Sequence, residues 1–269
     1  MSPAAPPLIV CDVDGTLLGS DGRVSPRTTD AIQRAVAAGC RVLFATGRPP
    51  WWLDPITDAG FSGVAVCTNG SIVFDLDARA VIASTPFKTD VLVSIIGRLA
   101  AADPSASLAV HRVGAGAECG RVDDHDLGLW SDADFSVCSR AELVSEPVVK
   151  VLVRSHLDVG SLVDVVSDAA AGAAEVSVSS DFGLVELMAA GVDKAAAVHA
   201  LASSWGIDAR TAVAFGDMPN DLGLFSWAGH PVAMGNAHDD VRAAAMEITT
   251  GNDDEGVARV VERWFPLGA

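Results

Sequence analysis

The chain alternates short apolar runs with segments whose apolar residues recur at helical spacing. Leu8-Ile9-Val10-Cys11, Arg41 to Ala45, Val64 to Cys67, Thr211 to Phe215 and Pro231 to Met234 are continuous runs, each the length of a strand covered on both faces. Between them, Thr28 to Ala38 and Asn220 to Trp227 have helical spacing, and strands alternating with helices predict a parallel sheet. Each run delivers small, polar or acidic residues. These are Asp12-Val13-Asp14-Gly15-Thr16, Thr46-Gly47-Arg48-Pro49-Pro50, Thr68-Asn69-Gly70, Gly216-Asp217-Met218-Pro219-Asn220-Asp221 and Gly235-Asn236. In a parallel sheet all five ends line one edge, where open α/β sheets bind their ligands.

The pair Asp12 and Asp14 carries the most chemistry. Acidic residues are rarely buried without a partner, so two carboxylates at the end of a buried strand suggest a metal ion, a shared proton or both. An Asx-turn with Gly15 at positive φ would also account for one such pair. It does not account for five convergent strand ends.

A different pattern fills the middle of the chain. Ala80 to Ala83 reads as a strand, Val91 to Ala101 as an amphipathic helix, Val148 to Val153 as a strand and Leu157 to Ala170 as a helix. Val176 to Ser179 and Leu184 to Leu187 read as a hairpin around Asp181-Phe182-Gly183. Gly114 to Asp126 reads as a loop or ragged hairpin without chemistry.

Composition narrows the function. With 269 residues, half of them hydrophobic, the chain is globular and long enough for one large domain or two smaller ones. No apolar stretch reaches the length of a membrane span, and no basic region precedes a hydrophobic one at the N-terminus, so a cytoplasmic protein is expected. Five cysteines without regular spacing argue against a disulfide framework, and Cys11 and Cys67 fall inside strands. The net charge of −17 argues against nucleic acid, whose backbone is bound through clustered Lys and Arg.

The lysines are only Lys88, Lys150 and Lys194. Lysine is a compact point charge where arginine is a broad fork, so a lysine in an arginine-using chain marks a place that arginine does not suit. Lys194 follows Asp193, a plausible N-cap, ahead of a helix from Ala195 to Leu201. A cation in the first helical turn opposes the helix dipole by ~0.3–1 kcal/mol, so an anionic partner is expected. The alternative is a solvent-facing lysine whose small penalty is tolerated.

Asp12-Val13-Asp14-Gly15-Thr16, Thr46-Gly47-Arg48, Lys194 and Gly216 to Asp221, in that order, resemble the four motifs of the haloacid dehalogenase superfamily of phosphatases. Thr68-Asn69-Gly70, Met234-Gly235-Asn236-Ala237 and Asn252 to Ala258 resemble its Cof-type branch, subfamily IIB. The resemblance implies a Rossmann-like parallel-sheet core of residues 1–84 and 187–269, interrupted by an α+β cap of the C2 type from 85 to 186.

It also implies roles. Asp12 would be the nucleophile that forms an aspartyl-phosphate, and Asp14 the general acid and base. Asp12, the main-chain carbonyl of Asp14 and Asp217 would hold Mg²⁺, with Asp221 supporting metal-bound waters or orienting Lys194. Thr46, Gly47, Lys194 and Asn220 would hold the phosphoryl oxygens. Arg48 would pair structurally near a helix start, or else approach the substrate.

The implied reaction is Mg²⁺-dependent hydrolysis of a small phosphate monoester, a sugar phosphate or similar metabolite, by a monomer or weak homo-oligomer. P-type ATPases resemble the superfamily but carry lysine in place of Asp14, and haloacid dehalogenases proper lack that aspartate, so pumping and carbon–halogen cleavage are not expected. A phosphosugar mutase and a non-catalytic phosphometabolite-binding protein are the alternatives. For the substrate side, the candidates are Trp51, Trp52, His111, Arg112, Trp130 and Asp181. Adjacent helical positions point apart, so Trp51 and Trp52 are expected to divide between core and site, unless both are core or interface aromatics.

Overall fold

The computed structural model describes residues 4–130, 135–178 and 183–267. The first strand, β1 (Leu8–Cys11), is wholly buried. Helix α1 (Pro26–Ala37) follows; Ser25 caps it, its side chain accepting from the Thr28 N–H, and proline occupies the first turn. Next come β2 (Arg41–Ala45), the short α2 (Asp54–Asp58), β3 (Val64–Cys67), β4 (Ile72–Asp75) and β5 (Ala80–Ser84).

The chain then leaves this sheet. Helix α3 (Thr89–Ala102) leads to β6 (Ser107–Arg112), β7 (Gly120–Asp123), β8 (Ser136–Cys138) and β9 (Val148–Arg154). Helix α4 (Val159–Ala170), β10 (Ala174–Ser177) and β11 (Val185–Ala189) close the excursion. It returns through α5 (Lys194–Ser204), β12 (Val213–Gly216), α6 (Leu222–Trp227), β13 (His230–Ala233), α7 (Asp239–Ala244), β14 (Glu247–Ile248) and α8 (Gly256–Val261).

The first sheet has the order β14-β13-β12-β1-β2-β3-β4-β5, and pairing is parallel from β14 through β3. All five apolar runs are therefore parallel strands with their polar ends on one edge, as their pattern predicts. The order turns at β1: the chain builds outward from it through β2 and β3, then comes back to its other side at β12. Ligands of open α/β sheets bind at such a switch point. Asp12 stands there.

The second sheet, β10-β11-β9-β6-β7-β8, is antiparallel except for the β7–β8 pair. Alternation gives it two faces. Leu108, Val110, Val151, Val153, Val185 and Leu187 pack with residues of α3 and α4 in one apolar cluster, whereas Ala109, Val122, Trp130 and Leu152 form another. A register shift between His111 and Arg112 opposite β9 displaces Val149, which joins the core of the first sheet.

The stretch from Gly114 to Asp126 completes a hairpin, since β7 pairs antiparallel with β6. Within Gly114 to Asp126 lies β7, and its Asp123 is fully buried, accepting from the Ser107 hydroxyl (2.8 Å) and Arg140 Nε (2.7 Å). The acidic residues around it conceal the strand, because the partners that make Asp123 a core residue are distant in sequence. The second sheet also extends past 186, because β11 keeps its pairing with β10 to Ala189. Asp181 lies outside the described residues. Among those residues, no helix is long and apolar enough to cross a membrane.

Candidate active site

Neighbouring β1 and β12 set the centre of the site. The Asp12 N–H donates to the Phe215 carbonyl (3.1 Å), so the loops after the two strands leave the sheet side by side. Gly15 has φ +74°, and a Cβ there would overlap Asp217 Oδ2; only glycine lets the Asp12 loop approach so closely. Thr16 Oγ1 donates to Asp217 Oδ1 (2.9 Å), fixing that carboxylate from the same loop.

Lys194 opens α5 and is 2% exposed. Its Nζ stands 2.6 Å from Asp12 Oδ1 and 2.8 Å from Asp221 Oδ1, so the cation that opposes the helix dipole has two carboxylate partners. Asp193 caps the helix, its carboxylate accepting from the Ala196 N–H (2.7 Å). The other oxygen of Asp221 accepts from the N–H groups of Asp217 (3.1 Å) and Met218 (3.3 Å) and fixes the Asp217 loop.

One carboxylate oxygen from each of Asp12, Asp217 and Asp221 lies within 4.8 Å of the others. Three carboxylates thus face one ammonium, an excess of two negative charges in a buried place. Burial raises the Asp12 carboxyl well above the usual range, Asp221 and Asp217 adding to the rise while Lys194 opposes it. Asp217 is pushed up to about 6 by burial, with the Thr16 hydroxyl working against the rise and the Asp221 charge adding to it. Burial also works against the Lys194 charge, but Asp12 and Asp221 outweigh it and hold this amine above its ordinary value.

The Asp14 carboxylate stands outside that cluster. Its side chain is 57% exposed, and Arg48 holds it through Nε and Nη2. Arg48 also donates from Nη1 to the Trp52 carbonyl (2.9 Å). It therefore does pair near a helical turn, Pro50–Trp52, but its charge is spent on Asp14, a partner the sequence reading did not give it.

Asp12, Asp14, Gly47, Arg48, Met218 and Asn220 line one side of a cavity of about 310 Å³. Asn220 Oδ1 is buried without a hydrogen-bond partner there. A Cβ on Gly47 would stand 3.0 Å from Asn69 Oδ1, so this turn is packed as tightly as glycine allows. Thr46 is fully buried beside it, its hydroxyl accepting from the Arg48 N–H (3.0 Å).

The second sheet supplies the opposite wall: His111, Lys150, Leu152, Arg154 and Glu186, with Trp130, Phe135 and Leu184 from the segments around it. Lys150 and Glu186 were not among the candidates, yet both are buried and 2.5 Å apart. They tie the two sheets together. Lys150 Nζ donates to the Gly47 carbonyl (3.1 Å), and Asn69 Nδ2 donates to Glu186 Oε2 (2.7 Å). The available signal was a charge inside each of two apolar strands, since such charges need partners.

Arg112 points away from the cavity and pairs with Glu146 (2.6 Å), as alternation along β6 requires once His111 faces inward. Trp51 and Trp52 do not divide as expected. Both rings contact His111, with centroids at 5.2 and 6.2 Å, because the Pro50–Trp52 turn is a 3₁₀ rather than an α-helical one.

Residues 9–261 match the family described as haloacid dehalogenase-like hydrolases. The chain belongs to this family and is a phosphatase of the superfamily. It is 29% identical to the 5-amino-6-(5-phospho-D-ribitylamino)uracil phosphatase YitU of Bacillus subtilis, over 97% of this chain and 98% of that one. YwtE of the same organism, carrying the same description, is 26% identical over 95% of this chain and 96% of its own. A haloacid dehalogenase-like hydrolase from Bacteroides thetaiotaomicron shares the fold with a TM-score of 0.78 and 27% identity, covering 98% of this chain and all of that one.

Proposed function

We propose that the protein is a Mg²⁺-dependent phosphatase that hydrolyses a small phosphate monoester through an aspartyl-phosphate on Asp12. The observation that carries the reading is the Lys194 ammonium between Asp12 and Asp221, beside Asp217, with Asp12 itself lining the cavity. The relatives' names agree with a small phosphorylated substrate.

A carboxylate attacking a phosphate dianion meets repulsion of roughly 8 kcal/mol at ~4 Å with an effective dielectric near 20. Cations have to offset that, and the charge of Lys194 is already shared between Asp12 and Asp221. The donor set fits a hard divalent cation: every side-chain donor in the cluster is a carboxylate oxygen, and the cluster carries two negative charges beyond what Lys194 neutralises. Asp12, Asp217 and the main-chain carbonyl of Asp14 would hold Mg²⁺. When bound, the ion supplies the positive charge that lets Asp12 and the phosphate approach.

The chain's own residues do the rest. Lys194, the Gly47 N–H, the Thr46 hydroxyl and the Asn220 side chain hold the phosphoryl oxygens. An Asp12 oxygen attacks phosphorus, the bond from phosphorus to the ester oxygen breaks, and Asp14 protonates that oxygen as it leaves. Asp14 then takes a proton from a water that attacks the same phosphorus, which releases inorganic phosphate and restores Asp12. Asp221 keeps Lys194 and the Asp217 loop in place throughout.

The test is release of p-nitrophenol from p-nitrophenyl phosphate with Mg²⁺, repeated with EDTA. Turnover that EDTA abolishes and Mg²⁺ restores is the expected result. No turnover under either condition, or turnover indifferent to EDTA, would overturn the reading.

A further inference from the structure

His111 is a polar group in the cavity wall that the phosphatase mechanism leaves unused. It is 1% exposed, and both ring nitrogens are buried without a hydrogen-bond partner. Buried polar groups nearly always have partners, and one that lacks them at the wall of a substrate cavity is completed by what enters. Its register places it opposite Lys150 on β9, on the face of the second sheet that looks into the cavity.

The surroundings specify the chemistry of that visitor. Trp52, Trp130 and Phe135 line the same cavity; Phe135 lies 5.9 Å from the His111 ring at 39°, and Trp130 meets Phe135 edge-on at 5.7 Å. Such a wall favours a flat, apolar-faced group. Two of the cations near it are matched: Lys150 is paired with Glu186, and Arg48 with Asp14. An ionic leaving group finds no unmatched countercharge in these pairs. Burial, with the Lys150 charge adding to it, keeps the imidazole neutral, so it offers one donor and one acceptor.

We propose that His111 determines specificity by hydrogen bonding to the polar edge of a planar, uncharged heterocycle carried by the leaving group, whose faces lie against the aromatic wall. This rests on the phosphatase reading and deepens it: Asp12 and its neighbours act on the phosphate, and His111 reads the far end of the ester. Arg112, the next residue of the same strand, is turned away and takes no part.

The experiment compares uridine 5′-monophosphate with ribose 5-phosphate, which share the phosphate and sugar and differ by the ring. The wild-type protein is expected to favour the uridine ester in kcat/KM by at least about tenfold. His111→Phe keeps the aromatic packing and is expected to remove most of that preference through KM for the uridine ester, with a much smaller change on ribose 5-phosphate, which has no ring for His111 to meet. His111→Gln, which retains a donor and an acceptor, is expected to recover part of it. Absence of a preference in the wild type overturns the proposal, as does a preference that survives His111→Phe or an equal loss on both esters. A wild-type protein inactive on p-nitrophenyl phosphate overturns instead the phosphatase reading beneath it.

Discussion

The carboxylate of Asp14 lies in the fork of Arg48, with Nε at 2.8 Å and Nη2 at 2.6 Å. In the proposed mechanism Asp14 is the general acid and has to face the leaving oxygen, and this pair sets where it points before substrate enters. Asp14→Asn is expected to slow hydrolysis of alkyl phosphates by about 10²-fold or more, and of p-nitrophenyl phosphate far less, because an activated phenol needs little protonation. Arg48→Ala should give the same ordering with a smaller loss, about tenfold on the alkyl esters, since Asp14 remains but is no longer held. Steady-state kinetics on the two substrate types check this; equal losses on both would remove Asp14 from acid catalysis.

Lys150 and Glu186 form a buried pair that also reaches the Gly47 carbonyl and Asn69. Breaking such a pair leaves an uncompensated buried charge, and Lys150→Met is expected to cost about 3–5 kcal/mol in urea unfolding. The double variant Lys150→Met, Glu186→Leu removes both charges and should recover most of that loss. A double variant as unstable as the single one would show that the pair's value lies in its ties to Gly47 and Asn69 rather than in charge balance.

Asp217 supplies a pH dependence with a definite sign. Its folded value of about 6, against an ordinary 3.8, means that the folded protein keeps this proton longer than the unfolded chain. Across that window the metal-free protein should lose stability as pH rises, by roughly 3 kcal/mol, and the rise at Asp12 acts in the same direction. Mg²⁺ needs the ionised carboxylate, so its stabilising effect should be small near about pH 5 and large near about pH 7.5. Thermal unfolding with and without Mg²⁺ at both values measures it. An increment independent of pH would take Asp217 out of the ligand set.

Most of the first sheet was legible because its strands are continuous apolar runs whose polar ends carry the chemistry. Lys194 was legible for a similar reason: a cation at a helix start has to be explained by something outside the helix. The far wall was not. Whether His111 or Arg112 faces the cavity depends on the register of β6 against β9, and a shift lies between these two residues. Lys150 and Glu186 are far apart in the chain, so their pairing appears only once β9 and β11 are laid side by side. The double contact of Trp51 and Trp52 with His111 depends on one tight 3₁₀ turn, Pro50–Trp52, too short to leave a periodicity.

The account turns on Asp12 as the attacking group, and acid quenching during turnover tests it most directly. With p-nitrophenyl phosphate and Mg²⁺, peptide mass spectrometry of the quenched protein should find one phosphoryl group on Asp12, and none in Asp12→Asn, which should also be inactive while unfolding as cooperatively as wild type. A phosphoryl group on another residue, or appreciable turnover by a clean Asp12→Asn preparation, would contradict it.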